Sequence, residues 1–121
     1  MSIFQGKRIL IVEDESIIAE MLQDMLEDLG VLTVGPAGTI AEALEFARTE
    51  AIDAAILDVN LRGERIDPVA EVLRQREVPL LFATGYGGGA ADVARGAPII
   101  TKPYTQQRLV VALTDCLTPG G

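Results

Sequence analysis

Three apolar runs in this 121-residue chain each end on side chains suited to phosphoryl chemistry. Ile9–Val12 leads into Glu13 and Asp14, Ala54–Leu57 into Asp58, and Pro98–Thr101 into Lys102. In an open α/β sheet the ligand crevice lies outside the carboxyl ends of the strands, so these residues converge if the three runs are neighbouring strands. Three carboxylates and a lysine then face one another. Like charges held close disfavour ionisation, and the cluster becomes reasonable once a hard divalent cation and an anionic phosphoryl group share it.

The elements that must position this cluster alternate strand and helix five times. Arg8–Glu13 is a continuous apolar run suited to a strand buried on both faces. Over Glu15–Leu29 the residues Ile18, Met21, Leu22, Met25 and Leu29 recur at helical spacing, with Gly30 as the stop. Val31–Val34 is a second strand. Thr39 caps a helix carrying Ile40, Ala43, Leu44 and Ala47, and Glu42 completes a capping box. Ile52–Leu57 is the third strand, and Pro68–Arg76 a weaker helix with Val69, Val72 and Leu73 inward. Pro79–Ala83 is the fourth strand. In the following GYGGGAADVARGA only Val93 is a large aliphatic residue, so a helix there is short and poorly anchored. Pro98–Thr101 is the fifth strand, and Gln106–Leu117 a final helix with Leu109, Ala112, Leu113, Cys116 and Leu117 on one side. Five βα units in this length imply an α/β fold with a doubly wound parallel sheet.

Composition narrows the function. The length suits one core and falls short of two ordinary domains. With 49% hydrophobic and 23% charged residues and a mean hydropathy of +0.30, the chain reads as a folded globule. No apolar run reaches membrane-spanning length and MSIFQGKR lacks the apolar core of a signal peptide, so a cytoplasmic place is expected. The absence of histidine excludes His-based triads and the usual zinc sets, and the single Cys116 has no internal disulfide partner. A net charge of −8 argues against broad nucleic-acid binding. Met21, Met25 and Cys116 are read as core residues.

Taken in order, Glu13–Asp14, Asp58 with Asn60 two residues on, Thr84, and Lys102–Pro103 make the chain resemble the receiver domain of bacterial two-component response regulators. No single element is specific; the ordered set is. Phe82-Ala83-Thr84-Gly85-Tyr86 with Lys102-Pro103-Tyr104 further resembles the FAT GUY subgroup of receivers, named for its Phe-Ala-Thr-Gly signature. The resemblance implies a flavodoxin-like (βα)5 fold, strand order 2-1-3-4-5, and one receiver domain over 1–121 without an output module. Asp58 is then the phosphoacceptor, since a carboxylate can attack phosphorus to give an acyl phosphate. Mg²⁺ is held by Asp14, Asp58 and the Asn60 carbonyl, with Glu13 direct or through water. Lys102 pairs with a phosphoryl oxygen, the Thr84 hydroxyl donates to another, and Gly85 lets backbone N–H approach. The chain would catalyse its own phosphorylation and dephosphorylation without being a conventional enzyme. Its partners would be a sensor histidine kinase or histidine phosphotransferase and a downstream target protein, with no nucleic acid and no membrane.

One departure bears on signalling. Receivers usually carry an aromatic residue three positions before the lysine, and here Ile99 stands there, as is typical of the FAT GUY subgroup. The switch is therefore expected in the 84–97 region, whose glycines carry an ordering cost of about 1 kcal/mol or more per residue fixed. Pro103 follows a bond that is usually cis in the family. Tyr86 and Tyr104 are read either as surface reporters or as simple exposed aromatics.

Blander readings stand beside these. Asp14 can cap a helix, Asp58 can be a turn residue, Thr84 a satisfied hydroxyl and Lys102 a surface cation. An aspartyl-phosphate phosphatase also uses Mg²⁺, Asp, Thr and Lys, but places a second Asp where this chain has Asn60, which cannot transfer a proton. A phosphorylation-independent adaptor with a receiver fold has no need to keep several carboxylates together. Relay, phosphate sink and target-binding regulator all remain open, as does a receiver cut from a longer protein.

Overall fold

Apolar side chains along the central strands point alternately to two separate cores, which is what a strand covered by helices on both faces requires. Leu10, Val12, Ala55, Leu57 and Phe82 belong to one core, and Ile9, Ile11, Ala54, Ile56, Leu81 and Ala83 to the other. The computed structural model describes residues 3–85 and 90–118. In chain order the elements are β1 (Arg8–Val12), α1 (Ser16–Asp28), β2 (Leu32–Ala37), α2 (Ile40–Thr49), β3 (Ala54–Asp58), β4 (Asn60–Leu61), β5 (Glu64–Arg65), α3 (Asp67–Gln75), β6 (Leu80–Thr84), α4 (Ala90–Ala94), β7 (Ile99–Thr101) and α5 (Gln106–Leu117).

The long strands form one parallel sheet in the order β2-β1-β3-β6-β7, the doubly wound 2-1-3-4-5 arrangement expected. Residues of α2, α3 and α4 fill the first core, and those of α1 and α5 the second. The register aligns Val12 with Leu57, Asp58 with Ala83, and Thr84 with Thr101, so the strands end along one edge. No helix among the described residues is long and apolar enough to cross a membrane.

Helix ends follow local chemistry. At the end of α1, the Gly30 N–H donates to Glu27 O and the Val31 N–H to Leu26 O, both at 3.0 Å, and Gly30 has the positive φ of +86° that this motif needs. At the start of α2, Thr39 Oγ1 accepts the Glu42 N–H at 3.1 Å, while Glu42 Oε1 reaches back to the Gly38 N–H at 3.1 Å.

The structure departs from the sequence reading in several places. β2 runs on through Ala37, past a cis Gly35–Pro36 bond and a register irregularity against β1, where the sequence suggested an end at Val34. The hairpin β4–β5 was not foreseen; its strands have two residues each, too short for any periodicity to show. Ala70 packs inward on α3 while Val72 is half-buried. Met21 is 49% exposed and Met25 half-buried, so neither is a closed core residue; Ala19, Leu22 and Leu26 form the buried stripe of α1. α4 is short, as expected, but better anchored: Ala90, Val93 and Ala94 are buried, and the Arg74 guanidinium from α3 donates to the Val93 and Ala94 carbonyls while lying 5.8 Å from the Phe82 ring centre.

The reciprocal cap on α2 gives a first prediction. Thr39→Ala removes a side-chain acceptor from an otherwise unpaired N–H and should lower the unfolding free energy by about 1 kcal/mol in a denaturant titration.

Candidate functional site

The residues proposed for phosphoryl chemistry sit at or just past the carboxyl ends of parallel strands. Glu13 and Asp14 follow β1, Asp58 closes β3, Thr84 closes β6, and Lys102 follows β7. Glu13, Asp58 and Thr84 are the buried polar residues among those described, at 5%, 6% and 7% exposure. Burying polar groups costs free energy unless they are paired, so their concentration at one sheet edge marks a built site.

Lys102 supplies the pairing. Its Nζ lies 2.8 Å from Glu13 Oε1 and 3.1 Å from Asp58 Oδ2. β7 is two strand spacings from β3 and three from β1, roughly 10 and 14 Å, so only a long side chain folded back over the sheet edge makes both contacts. The Lys102 N–H donates to Thr84 O at 2.9 Å, and the Lys102–Pro103 bond is cis. The cis geometry agrees with the expectation for this position.

Each of the three carboxylates also accepts a backbone N–H. Glu13 Oε2 accepts from Glu15 at 3.1 Å, Asp58 Oδ1 from Asn60 at 3.2 Å, and Asp14 Oδ2 from Arg62 at 3.1 Å. Glu13, Asp14 and Asp58 offer oxygens within 4.8 Å of one another, a hard, all-oxygen donor set of the kind Mg²⁺ takes. Asn60 lines the same cleft.

Burial raises the Glu13 carboxyl above its ordinary value, against the hydrogen bond from Lys102 that favours its charge. For Lys102 burial works to lower the ammonium's pKa, and the hydrogen bonds to Glu13 and Asp58 outweigh it, leaving the value raised. The Tyr104 hydroxyl is pushed up to about 12 by burial and then by the Glu13 charge. Tyr104 is a half-buried wall of the site packed on the α1–α5 core, so it is not a simple exposed aromatic. Tyr86, with the rest of 86–89, lies outside the described residues. Gly85 is exposed, and a Cβ added to it would meet nothing within 4 Å, so crowding does not require glycine there. Pro103 lines the cleft; Ile99 is 43% exposed on β7, away from it.

The cleft, about 870 Å³, is larger than a phosphoryl group and its cation need, and it continues onto Ile18, Met21, Leu22 and Met25 of α1. The sequence reading missed its other rim, the β4–β5 turn with Arg62, Gly63 and Arg65. The Arg-Gly pair is a weaker hairpin signal than Asn-Gly, and without the strand pairing it had no meaning. Arg65 is engaged with Asp67 at 2.8 Å.

Comparison with known proteins agrees with this geometry. The family described as "Response regulator receiver domain" matches residues 9–114. The transcriptional regulatory protein PdtaR of Mycobacterium tuberculosis is 33% identical over 88% of the chain and 55% of its own length. The phyllosphere-induced regulator PhyR of Methylorubrum extorquens is 32% identical over 90% of the chain and 43% of its own length. The chain therefore spans about half the length of these curated relatives. Among solved structures, SdrG from Sphingomonas melonis Fr1 superposes with a TM-score of 0.84 at 46% identity, covering 93% of this chain and 98% of that one. A BeF3-activated conformation of SdrG gives 0.76 at 45% identity, with 94% and 98% coverage.

The raised Glu13 carboxyl sets a pH dependence. A group whose folded pKa lies above its unfolded value contributes stability that is full below the unfolded value, here 4.5, and is lost as pH rises through the folded one. Glu13→Gln removes that loss. The melting temperature of the variant relative to wild type should rise between pH 4 and pH 7, read by thermal unfolding at fixed salt.

Proposed function

The chain belongs to the response regulator receiver domain family, and on that premise we propose that it accepts a phosphoryl group on Asp58 from a sensor histidine kinase or histidine phosphotransferase. The observation that carries this reading is the convergence of Glu13, Asp58 and Thr84, the buried polar residues among those described, with Lys102 spanning two of them. An Asp58 carboxylate oxygen attacks phosphorus, and the donor's leaving group departs with the bonding electrons. Lys102 then pairs with a phosphoryl oxygen as a point charge, and the Thr84 hydroxyl donates to another. Glu13, Asp14 and Asp58, with the Asn60 carbonyl, would hold Mg²⁺, which supplies charge neutralisation to the transferring phosphoryl group. The chain's own residues hold the carboxylate still and bring the ammonium to it.

The apolar continuation of the cleft onto α1 supports a protein phosphodonor. A partner that buries Met21 and Ile18 would set its phosphorylated side chain over Asp58. The Phe82-Ala83-Thr84-Gly85 run fits the FAT GUY subgroup, and Ile99 leaves no aromatic side chain at the usual position to report on Thr84. Signal would then pass through the 84–97 region, where α4 hangs on three buried side chains and Arg74. Output by protein contact or phosphate transfer within the cytoplasm completes the reading.

Incubation with Mg²⁺ and acetyl phosphate should add one phosphoryl mass to the wild-type chain and none to Asp58→Ala, and hydroxylamine should remove it. No gain, with candidate kinases also supplied and Mg²⁺ binding verified by titration, would favour the phosphorylation-independent adaptor. A separate measurement addresses the switch: amide exchange over residues 90–97 should slow on phosphorylation, and unchanged exchange would sink the proposed route.

A further inference from the structure

The turn between β4 and β5 uses an arginine where its backbone favours other residues. Arg62 and Gly63 have φ of +52° and +83°, the left-handed pair of a two-residue type I′ turn. Such a position suits Asn, Asp or Gly, and an L-arginine there is strained. A strained residue at the rim of a site suggests that its side chain does something a glycine cannot.

Arg62 makes two contacts. Its Nε–H donates to the Gly38 carbonyl at 3.0 Å, across the gap to the β2–α2 loop. Its backbone N–H donates to Asp14 Oδ2 at 3.1 Å. Gly38 is itself held, because its N–H is bound by Glu42 Oε1 in the α2 cap. The guanidinium is ion-paired with no carboxylate among the described residues, so charge pairing does not explain its place. Glu13 and Asp58 are each fixed by an N–H two residues along their own loop, but Asp14 depends on a donor from 48 residues away.

We infer that Arg62 is a positioning residue for Asp14: its guanidinium latches the hairpin to Gly38 so that its backbone N–H holds the Asp14 carboxylate beside Glu13 and Asp58. This rests on the reading that Asp14 is a Mg²⁺ ligand. Outer partners of metal ligands commonly set affinity by tenfold or more. Electrostatics alone works the other way, since removing a cation from the rim would tighten Mg²⁺ binding.

The opposite signs make the test decisive. Mg²⁺ is titrated calorimetrically into the unphosphorylated chain as wild type, Arg62→Gly, Arg62→Lys and Asp14→Asn. Glycine keeps the turn and the N–H but loses the latch; lysine keeps the charge but loses the planar Nε–H. Both should weaken Mg²⁺ about tenfold, and exchange of the residue 62 amide should quicken in both. Affinity equal to or tighter than wild type in Arg62→Gly, or wild-type affinity in Arg62→Lys, overturns the latch. Asp14→Asn binding Mg²⁺ like wild type overturns instead the ligand reading beneath it.

Discussion

The Lys102 ammonium between the Glu13 and Asp58 carboxylates is the interaction on which this structure turns. A buried charge without a partner costs several kcal/mol, and removing one member of a buried pair typically costs about 3–5 kcal/mol. Here two buried carboxylates share one cation, with Asp14 adding a third negative group close by. The site is therefore left with excess negative charge. That imbalance disfavours the isolated fold locally and favours a cation, which is the physical meaning of placing such a cluster at the open edge of the sheet instead of in its interior.

Geometry at this edge is set mostly by backbone. The parallel register brings β1, β3, β6 and β7 to a common end. Glu13 and Asp58 each accept the N–H of the second residue along on one carboxylate oxygen and Lys102 Nζ on the other. Asp14 is different, because its donor comes from the β4–β5 hairpin and the hairpin leans on Gly38 in the capped entry to α2. The entry to α2, distant from Asp14 in sequence but adjacent to it in the fold, is thus tied to that carboxylate through the hairpin.

The far side of the site is built more lightly. α4 has five residues, follows a glycine-rich segment, and relies on Arg74 of α3 to cover its last carbonyls. Arg74 also lies over Phe82, two residues before Thr84 on β6. A change at Thr84 and a shift of α4 can therefore meet at one guanidinium. Ile99, 43% exposed on the neighbouring strand, offers no comparable link to the cleft.

Much of this was legible in residue order. Continuous apolar runs such as Arg8–Val12 mark strands covered on both faces, Thr39 with Glu42 marks a helix start, and Gly30 marks a helix end, because each acts through neighbours close in sequence. The carboxylates and Lys102 were found because strand ends are where a parallel sheet gathers functional groups. Met21 shares the spacing of the α1 core residues yet is exposed, since helical spacing tells which residues share a face but not whether a neighbour covers it. The half-burial of Tyr104, between β7 and α5, is a property of the core that packs against it and leaves no mark in the sequence. The roles of Arg62 and Arg74 leave no signal in the sequence, as their acceptors lie 24 and about 20 residues away and a long cationic side chain carries no local mark of where it will reach. The sequence by itself determined the five strands of the sheet and the helices between them, their order and the residue types at the sheet edge; only the tertiary structure decided the β4–β5 hairpin and which groups pair across the edge, because those contacts depend on strand register and side-chain reach between segments distant in the chain.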